Sequence, residues 1–222
     1  MSELIPKHGG YRKLKSFQVS QLIYDVTVRF CERYIDRFSR TRDQMTQAAR
    51  SGVQNIAEGS QTSATSKKFE IKLTQVARAS LEELTLDYED FLRQRKLPKL
   101  PPQHPALVRF KELRCKTLEE VQVWVAQEKK RGTDKHGHQR KQKTDDENQA
   151  AAYVSASPCS PLSSACLAAN AALSLLNLAT YLLDRQVERL AIDFENQGGF
   201  TERLYKIRSA KRKEHLKDAG LS

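Results

Sequence analysis

The sequence predicts an all-α protein: an antiparallel, up-down four-helix bundle with a helical insertion between its third and fourth helices and a basic C-terminal tail. Apolar residues recur at three- and four-residue steps along four long segments. No segment shows the alternating pattern that is typical of a half-buried strand. The connections between the first three segments are short, so these amphipathic helices bury their apolar faces most easily against one another.

The first predicted helix runs from Phe17 to Phe38. Its apolar stripe, which we expect to be buried, consists of Val19, Ile23, Val26, Phe30, Tyr34 and Phe38. Four arginines follow on another side, at steps of four, four and three residues: Arg29, Arg33, Arg37 and Arg40. Arginines at this spacing can contact successive phosphates. The alternative is a solvated face on which Asp25 pairs with Arg29 and Asp36 pairs with Arg40.

The second predicted helix begins with a capping box at Thr41, whose hydroxyl would accept a hydrogen bond from the backbone near Gln44. Its inner face is formed by small or apolar residues: Met45, Ala48, Ala49, Gly52, Val53, Ile56 and Ala57. We interpret Gly52 as a point of close helix contact, because glycine otherwise weakens a helix. We interpret Gly59 as the left-handed residue that ends this helix, which places Glu58 where the helix dipole disfavours an anion.

The third predicted helix spans Lys67 to Arg95 and completes the first part of the bundle, residues 1–97. One side carries Phe69, Leu73, Val76, Ser80, Leu84, Tyr88 and Phe91, and its second half is acidic. Prolines then end the helix. Residues 98–131 are predicted to form a helical hairpin, with Pro105 in a first helical position and a second capping box at Thr117.

The C-terminal part of the chain alternates between polar and apolar segments. We predict a disordered linker over 132–160, because 132–149 contain no aliphatic or aromatic residue. Residues 161–197 form the predicted fourth bundle helix, and 198–222 are a basic suffix. A transmembrane span is the alternative for the uncharged run before Leu183. Serine, asparagine and threonine residues dilute that run, which favours a buried bundle helix.

Two motifs resemble a known protein family. The second predicted helix carries Gln44, Met45, Ala48, Ala49 and Ser51, followed by N-I-A-E-G at Asn55–Gly59. The third follows the pattern A-x-x-S-L-x-E-L with Ala77, Ser80, Leu81, Glu83 and Leu84. Through these motifs the chain resembles a bacterial four-helix-bundle family. The resemblance covers residues 15–97 and 162–196. This family includes the ribosomal RNA intervening-sequence proteins and the accessory variability determinant of diversity-generating retroelements.

The resemblance implies a ring-shaped homo-oligomer, a homopentamer. The retroelement member of the family binds nucleic acid and its partner reverse transcriptase, so the resemblance also implies these two kinds of partner. The chain departs from the family where Thr46 and Gln47 replace a basic pair, where Gly52-Val53 replaces an aliphatic-proline step, and in its long insertion. The basic tail is similar to the C-terminal suffix segment of some variants.

Asn55, Glu58, Gly59 and Gly52 are candidate interface or structural residues. In a ring, Glu58 would meet a cation or a turn amide of a neighbouring subunit. The alternative is an exposed glutamate, or a local cap on the turn that follows the helix. Asn55 is interpreted as satisfying backbone groups of a turn or of a neighbouring helix.

Composition favours a polyanionic partner. The formal net charge is +11, with a sequence pI near 9.6, which indicates RNA, DNA or an acidic surface. The densest positive cluster is in the tail and includes Arg203, Lys206, Arg208, Lys211, Arg212 and Lys213. Four cysteines without C-x-x-C pairing, and an N-terminal segment that lacks the apolar core of a signal peptide, predict a cytoplasmic location.

Signals for enzyme chemistry are weak. The sequence has no glycine-rich phosphate loop and no nucleophile motif, and His136 and His138 lack a nearby ligand constellation. We therefore expect no catalytic residue, cofactor or metal. The predicted function is that of an accessory protein which binds structured RNA, or a complex of nucleic acid and reverse transcriptase, through basic surfaces. The alternative is a protein-only oligomeric scaffold or adaptor.

Overall fold

The computed structural model describes the backbone of residues 10–140 and 162–218, and most of their side chains. These ranges contain a short 3-10 helix, Gly10–Lys13, seven α-helices and no strand. The helices are α1 (Lys15–Tyr34), α2 (Arg40–Thr62), α3 (Lys67–Gln94), α4 (Pro105–Leu113), α5 (Leu118–Arg140), α6 (Ser164–Gln197) and α7 (Phe200–Asp218). The predicted all-α class is confirmed.

Helix α1 is shorter than the sequence predicted. It ends at Tyr34, and in the following turn the Asp36 carboxylate accepts a hydrogen bond from the Phe38 amide at 2.8 Å. Phe38 is 81% exposed, so its assignment to the buried stripe was wrong. Ile23, Val26 and Phe30 are buried as expected. An aspartate that binds the backbone two residues on favours a turn over further helix.

Both predicted ends of α2 were wrong. The N-cap is Ser39, whose Oγ accepts from the Thr41 amide at 3.3 Å. Gly59 is buried within the helix, which continues to Thr62. The Thr62 hydroxyl donates to the Glu58 carbonyl at 3.0 Å. Polar side chains of the expected turn thus bind carbonyls near the helix end and support a further turn of helix.

The buried face of α3 differs from the predicted one. Leu84 and Tyr88 are buried as expected, but Phe69 is 46% exposed and Val76 is 40% exposed. In the first half of the helix two of the three buried residues are small, Thr74 and the fully buried Ala77, and the third is Glu70. This arrangement follows from close contact with the small-residue face of α2, which leaves little space for large side chains.

Helices α1, α2, α3 and α6 enclose the main core. Among these four helices, α1 packs on α2 and α6, and α3 packs on the same two helices. Side-chain contacts between these helices show how they run relative to one another. The Arg95 side chain reaches the Tyr34 carbonyl and Tyr88 reaches Thr27, so α1 and α3 are parallel. Phe30 lies at the centre, with its ring centroid 4.9 Å from that of Tyr88.

Helix α6 runs opposite to α1 and α3. Its later residues contact early α1 through the Ser16–Gln186 hydrogen bond of 2.8 Å, whereas its early residue Asn170 binds the segment that follows α3. Asn170 is buried, and its hydrogen bonds to Pro98 and Leu100 fix this segment. Its Nδ2 donates to the carbonyls of Pro98 at 3.0 Å and Cys166 at 2.9 Å, and its Oδ1 accepts from the Leu100 amide at 2.8 Å.

Helices α4 and α5 form a hairpin that packs against α6 and is joined by an ion-pair cluster. The buried Glu128 carboxylate accepts two hydrogen bonds from Arg109, at 2.7 and 2.5 Å, and one from Arg131 at 2.8 Å. The Arg109 guanidinium lowers the pKa of Glu128 below its ordinary value. Helix α5 extends to Arg140, which lies within the predicted linker of 132–160, and residues 141–161 lie outside the described residues.

One segment of the described chain, Ser164–Glu202, is long and apolar enough to cross a membrane by length and composition alone. Within its most apolar window, 61% of the residues are buried inside the structure. Leu167, Leu176 and Leu183 are fully buried against the other helices. Packing within the chain therefore accounts for much of its apolar character.

Candidate nucleic-acid interface

The four arginines predicted to share one helical face lie on two helices and the turn between them. Arg29 and Arg33 belong to α1, Arg37 lies in the turn, and Arg40 is the first residue of α2. All four are exposed. The prediction of one continuous helical stripe was therefore wrong, because α1 ends at Tyr34.

The structure adds a further arginine to this end of the molecule. Arg95, which follows α3, donates from Nη2 to the Tyr34 carbonyl at 3.1 Å. Its guanidinium carbon lies 4.0 Å from the centroid of the Phe91 ring, a cation–π distance. Because α1 and α3 are parallel, their C-terminal ends meet here. We name this surface the basic tip and define it by Arg33, Arg37, Phe38, Arg40 and Arg95.

Most positive charge at the basic tip is not neutralised within the chain. Among the described residues, Arg33, Arg37 and Arg40 form no salt bridge. The expected pair of Asp25 and Arg29 is replaced by one between Arg29 and Glu32 at 3.2 Å. Asp36, the expected partner of Arg40, accepts from the Phe38 amide instead. The arginines of the tip are thus available to an external anion.

Phe38 gives the basic tip an aromatic surface. Its side chain is 81% exposed, and the Arg37 guanidinium carbon lies 4.5 Å from its ring centroid. Sequence periodicity missed this role, because it placed Phe38 on the buried stripe. The signal that identifies it is local: an aspartate two residues earlier and a capping serine one residue later predict a turn.

The tail cluster lies on α7. Of its predicted residues, Lys206, Arg208, Lys211 and Arg212 are exposed, while Arg203 and Lys213 lie on the helix without a described side chain. Arg208, Lys211 and Arg212 are spaced i, i+3 and i+4 and therefore share one side. Gly198, with φ of 68°, separates α7 from α6.

The N-I-A-E-G motif participates in packing between α2 and α3. Asn55 Nδ2 donates to the Ser51 carbonyl at 2.9 Å and to its Oγ at 3.0 Å, and this hydroxyl lies 3.0 Å from that of Ser80 on α3. Asn55 binds its own helix, so the expected contact to a turn or a neighbouring backbone was wrong. Glu58 is exposed and forms no ion pair among the described residues.

The described thiols are poorly suited to nucleophilic or metal chemistry. Cys31 and Cys166 are buried, and burial raises the pKa of each to about 11, so both are protonated near neutral pH. Cys115 is partly buried, and burial also raises its pKa. Within the described ranges, no group of three or more histidine, cysteine, aspartate or glutamate residues could hold a metal ion.

A groove of about 1180 Å³ lies between α1, α6 and the turn that joins α4 to α5. We name it the α1–α6 groove. Its floor is apolar and includes Val19, Leu22, Phe110, Leu175 and Leu178. Four basic side chains and one acidic side chain lie around it: Lys15, Lys111, Arg114, Lys116 and Asp25. Sequence reasoning missed this groove, because its walls come from three segments that are distant in the chain.

Comparisons with family models, curated proteins and solved structures gave no match to this chain.

Proposed function

We propose that this protein is a non-enzymatic, oligomeric accessory protein that binds structured RNA, or a complex of nucleic acid and reverse transcriptase, through its basic tip. In this proposal α1, α2, α3 and α6 form an antiparallel, up-down four-helix bundle. The hairpin of α4 and α5 is its insertion, and α7 is a basic suffix. The pairwise packing and directions of these helices support the bundle.

The observation that carries the proposal is the exposed Phe38 beside Arg37, among arginines without ion-pair partners. Proteins recognise RNA loops and bulges by stacking unpaired bases on aromatic rings and arginine planes. Phosphate contacts from nearby arginines then add affinity without sequence information. A turn that presents both groups at one end of the molecule suits a projecting RNA loop.

Oligomerisation would strengthen such binding. Several basic tips in one assembly convert later contacts into intramolecular ones, so that modest contacts add through effective concentration. The homopentameric ring and the reverse transcriptase partner rest on the motifs at Asn55–Gly59 and Ala77–Leu84. A protein-only scaffold is the second candidate, and the α1–α6 groove favours it because its apolar floor suits a protein segment.

A salt series with purified protein and a structured RNA tests the phosphate contacts. We expect log Kd to depend steeply on log salt concentration for the wild type. Replacing Arg33, Arg37 and Arg40 together by glutamine should reduce the slope by about 2, because roughly 0.7 to 0.9 counterions are released per neutralised phosphate. A chain truncated after Gly199 shows how much of the remaining slope depends on the tail.

The matched control replaces Arg29, Arg93 and Arg185 by glutamine. This change removes the same charge, but each of these arginines already pairs with a carboxylate, at 3.2, 2.7 and 3.0 Å. It should alter the slope much less. Equal slopes for the two triple variants would show that net charge alone causes binding, and a flat wild-type series would leave the scaffold as the better proposal.

Phe38→Ala tests the stacking contact separately. We expect RNA affinity to fall about 5- to 150-fold at every salt concentration, since stacking on an aromatic side chain contributes about 1 to 3 kcal/mol per base. The salt slope should remain that of the wild type, because no charge changes. Phe38→Trp serves as the control and should retain affinity. A loss that disappears at high salt would contradict stacking.

A further inference from the structure

Helix α3 carries a leucine inside a ring of carboxylates. Leu86 is 58% exposed, and acidic residues stand at i−4, i−3, i+3 and i+4 on the same side of the helix: Glu82, Glu83, Glu89 and Asp90. Glu89 and Asp90 pair with Lys99 and Arg93, at 2.5 and 2.7 Å. Glu82 and Glu83 form no salt bridge among the described residues. We name these five residues the acidic face.

The α1–α6 groove has the opposite character. Its floor is apolar, and its rim carries four cations against the single carboxylate of Asp25. Lys15 and Lys111 donate to neutral oxygens, of Gln18 at 3.1 Å and of Pro102 at 2.9 Å. Arg114 and Lys116 form no salt bridge among the described residues. The acidic face thus has an apolar centre surrounded by carboxylates, and the α1–α6 groove has an apolar floor surrounded mainly by cationic side chains.

We propose that the acidic face of one copy of this chain binds in the α1–α6 groove of a second copy. Leu86 would contact the apolar floor while Glu82 and Glu83 pair with Arg114 and Lys116. This inference rests on the oligomeric part of the proposed function and assigns its two surfaces. The net charge of +11 opposes association of two copies, so a contact between them needs local complementarity of this kind.

The two surfaces lie on different parts of the molecule. The groove is lined by α1, α4 and α6, and the acidic face belongs to α3. A contact between unlike surfaces is heterologous, so repeating it yields a closed ring when the rotation between copies closes, and an open filament when it does not. Each copy offers one groove and one acidic face, which leaves no unmatched surface in a closed ring.

The backbone at the groove supports a role for Arg114 in binding. Arg114 ends α4 in the left-handed conformation, with φ of 48°, a position that glycine usually occupies. An arginine is strained there, whereas glycine is not. Arg114→Gly should therefore raise thermal stability while it weakens self-association. A stabilising substitution that weakens assembly separates binding from folding.

Two charge reversals of equal size test the contact. The groove variant is Arg114→Glu with Lys116→Glu, and the acidic-face variant is Glu82→Lys with Glu83→Lys. The masses of wild-type and variant proteins are measured by sedimentation velocity at micromolar concentration. We expect a wild-type oligomer and at least tenfold weaker association for each reversed variant. The control, Lys68→Glu with Lys72→Glu, changes exposed residues outside both surfaces and should assemble normally.

Mixing the two reversed variants gives the decisive measurement. In the mixture, the charges of each groove are complementary only to the charges at residues 82 and 83 of the other variant. Association should therefore return, with copies of the two variants in strict alternation. Alternation allows closed rings with an even number of copies only, so an odd-numbered wild-type ring should be replaced by an even-numbered species.

Failure of this inference is distinguishable from failure of the proposed function. A monomeric wild type overturns both the ring and this contact. A wild-type oligomer that neither reversal weakens, or a mixture that remains dissociated, overturns this contact alone. RNA affinity of the groove variant, whose substitutions lie outside the basic tip, reports independently on the nucleic-acid part of the proposed function.

Discussion

Asn170→Leu is expected to lower the free energy of unfolding by about 3 kcal/mol, which corresponds to a decrease in Tm of roughly 6 to 12 °C. Asn170 is buried, and its amide binds the Pro98 carbonyl, the Cys166 carbonyl and the Leu100 amide. The leucine side chain has a similar size but neither donates nor accepts a hydrogen bond. It would leave the Leu100 amide, which is also buried, without its partner. Thermal and urea unfolding followed by circular dichroism measure the loss.

Two further variants test the cause of that loss. Asn177→Leu makes the same change at an exposed position of the same helix and should alter stability by less than about 0.5 kcal/mol. Asn170→Asp keeps an acceptor for the Leu100 amide but loses the donors. Burial should raise the pKa of the introduced carboxyl above its value in the unfolded chain, so the variant should recover stability as pH falls. Equal losses for the two leucine variants would contradict a role for the hydrogen bonds.

The position and type of the long helices could be predicted from the sequence because their signals are local. Apolar spacing, Pro105 at a first helical position and the glycines after Gln197 depend on neighbouring residues alone. The observed helices Lys67–Gln94 and Ser164–Gln197 lie close to their predicted bounds. The predicted inner face of α2 is also buried at Met45, Ala48, Ala49 and Ile56.

The errors arose where two local signals compete or where distant segments meet. Periodicity favoured continuing α1 to Phe38, but the turn formed by Asp36 ends it four residues earlier. Glycine commonly ends helices, yet Gly59 lies within α2, where the Thr62 hydroxyl donates to the carbonyls of Glu58 and Gly59. The α1–α6 groove could not be predicted at all, because it depends on how three helices pack.

The two proposals assign different tasks to different sets of residues. The basic tip combines unpaired arginines with an exposed aromatic ring, which suits a nucleic acid with accessible bases. The α1–α6 groove combines cations with an apolar floor, which suits an acidic helix. Glu83 of the acidic face and Arg40 of the basic tip line the same depression, so an assembly formed through the groove would bring the next copy close to the tip.

Gly52→Val is expected to destabilise the protein by about 2 to 3 kcal/mol, because extra atoms in a packed core force their neighbours to move. A Cβ at position 52 would lie 2.6 Å from Cδ2 of Leu81, which is fully buried and has little space to move. Valine improves on the helix propensity of glycine by a few tenths of a kcal/mol, which offsets little of this cost. Urea unfolding of the purified variant measures the difference.

The double variant Gly52→Val with Leu81→Ala identifies the origin of the effect. Leu81→Ala alone leaves a cavity and should cost about 2 to 5 kcal/mol. The introduced valine side chain would partly fill that space, so the double variant should be more stable than the sum of the two losses by about 1 to 2 kcal/mol. Gly10→Val is the control, since a Cβ at Gly10 meets nothing within 4 Å.

The alternative is that Gly52 serves a contact between subunits. In that case Gly52→Val would change the oligomeric mass without reducing the stability of the monomer, and Leu81→Ala would not compensate for it. The close approach of Gly52 to Leu81, together with the hydroxyl contact between Ser51 and Ser80 at 3.0 Å, favours packing between α2 and α3. The small residues of α2 then have their explanation within one chain.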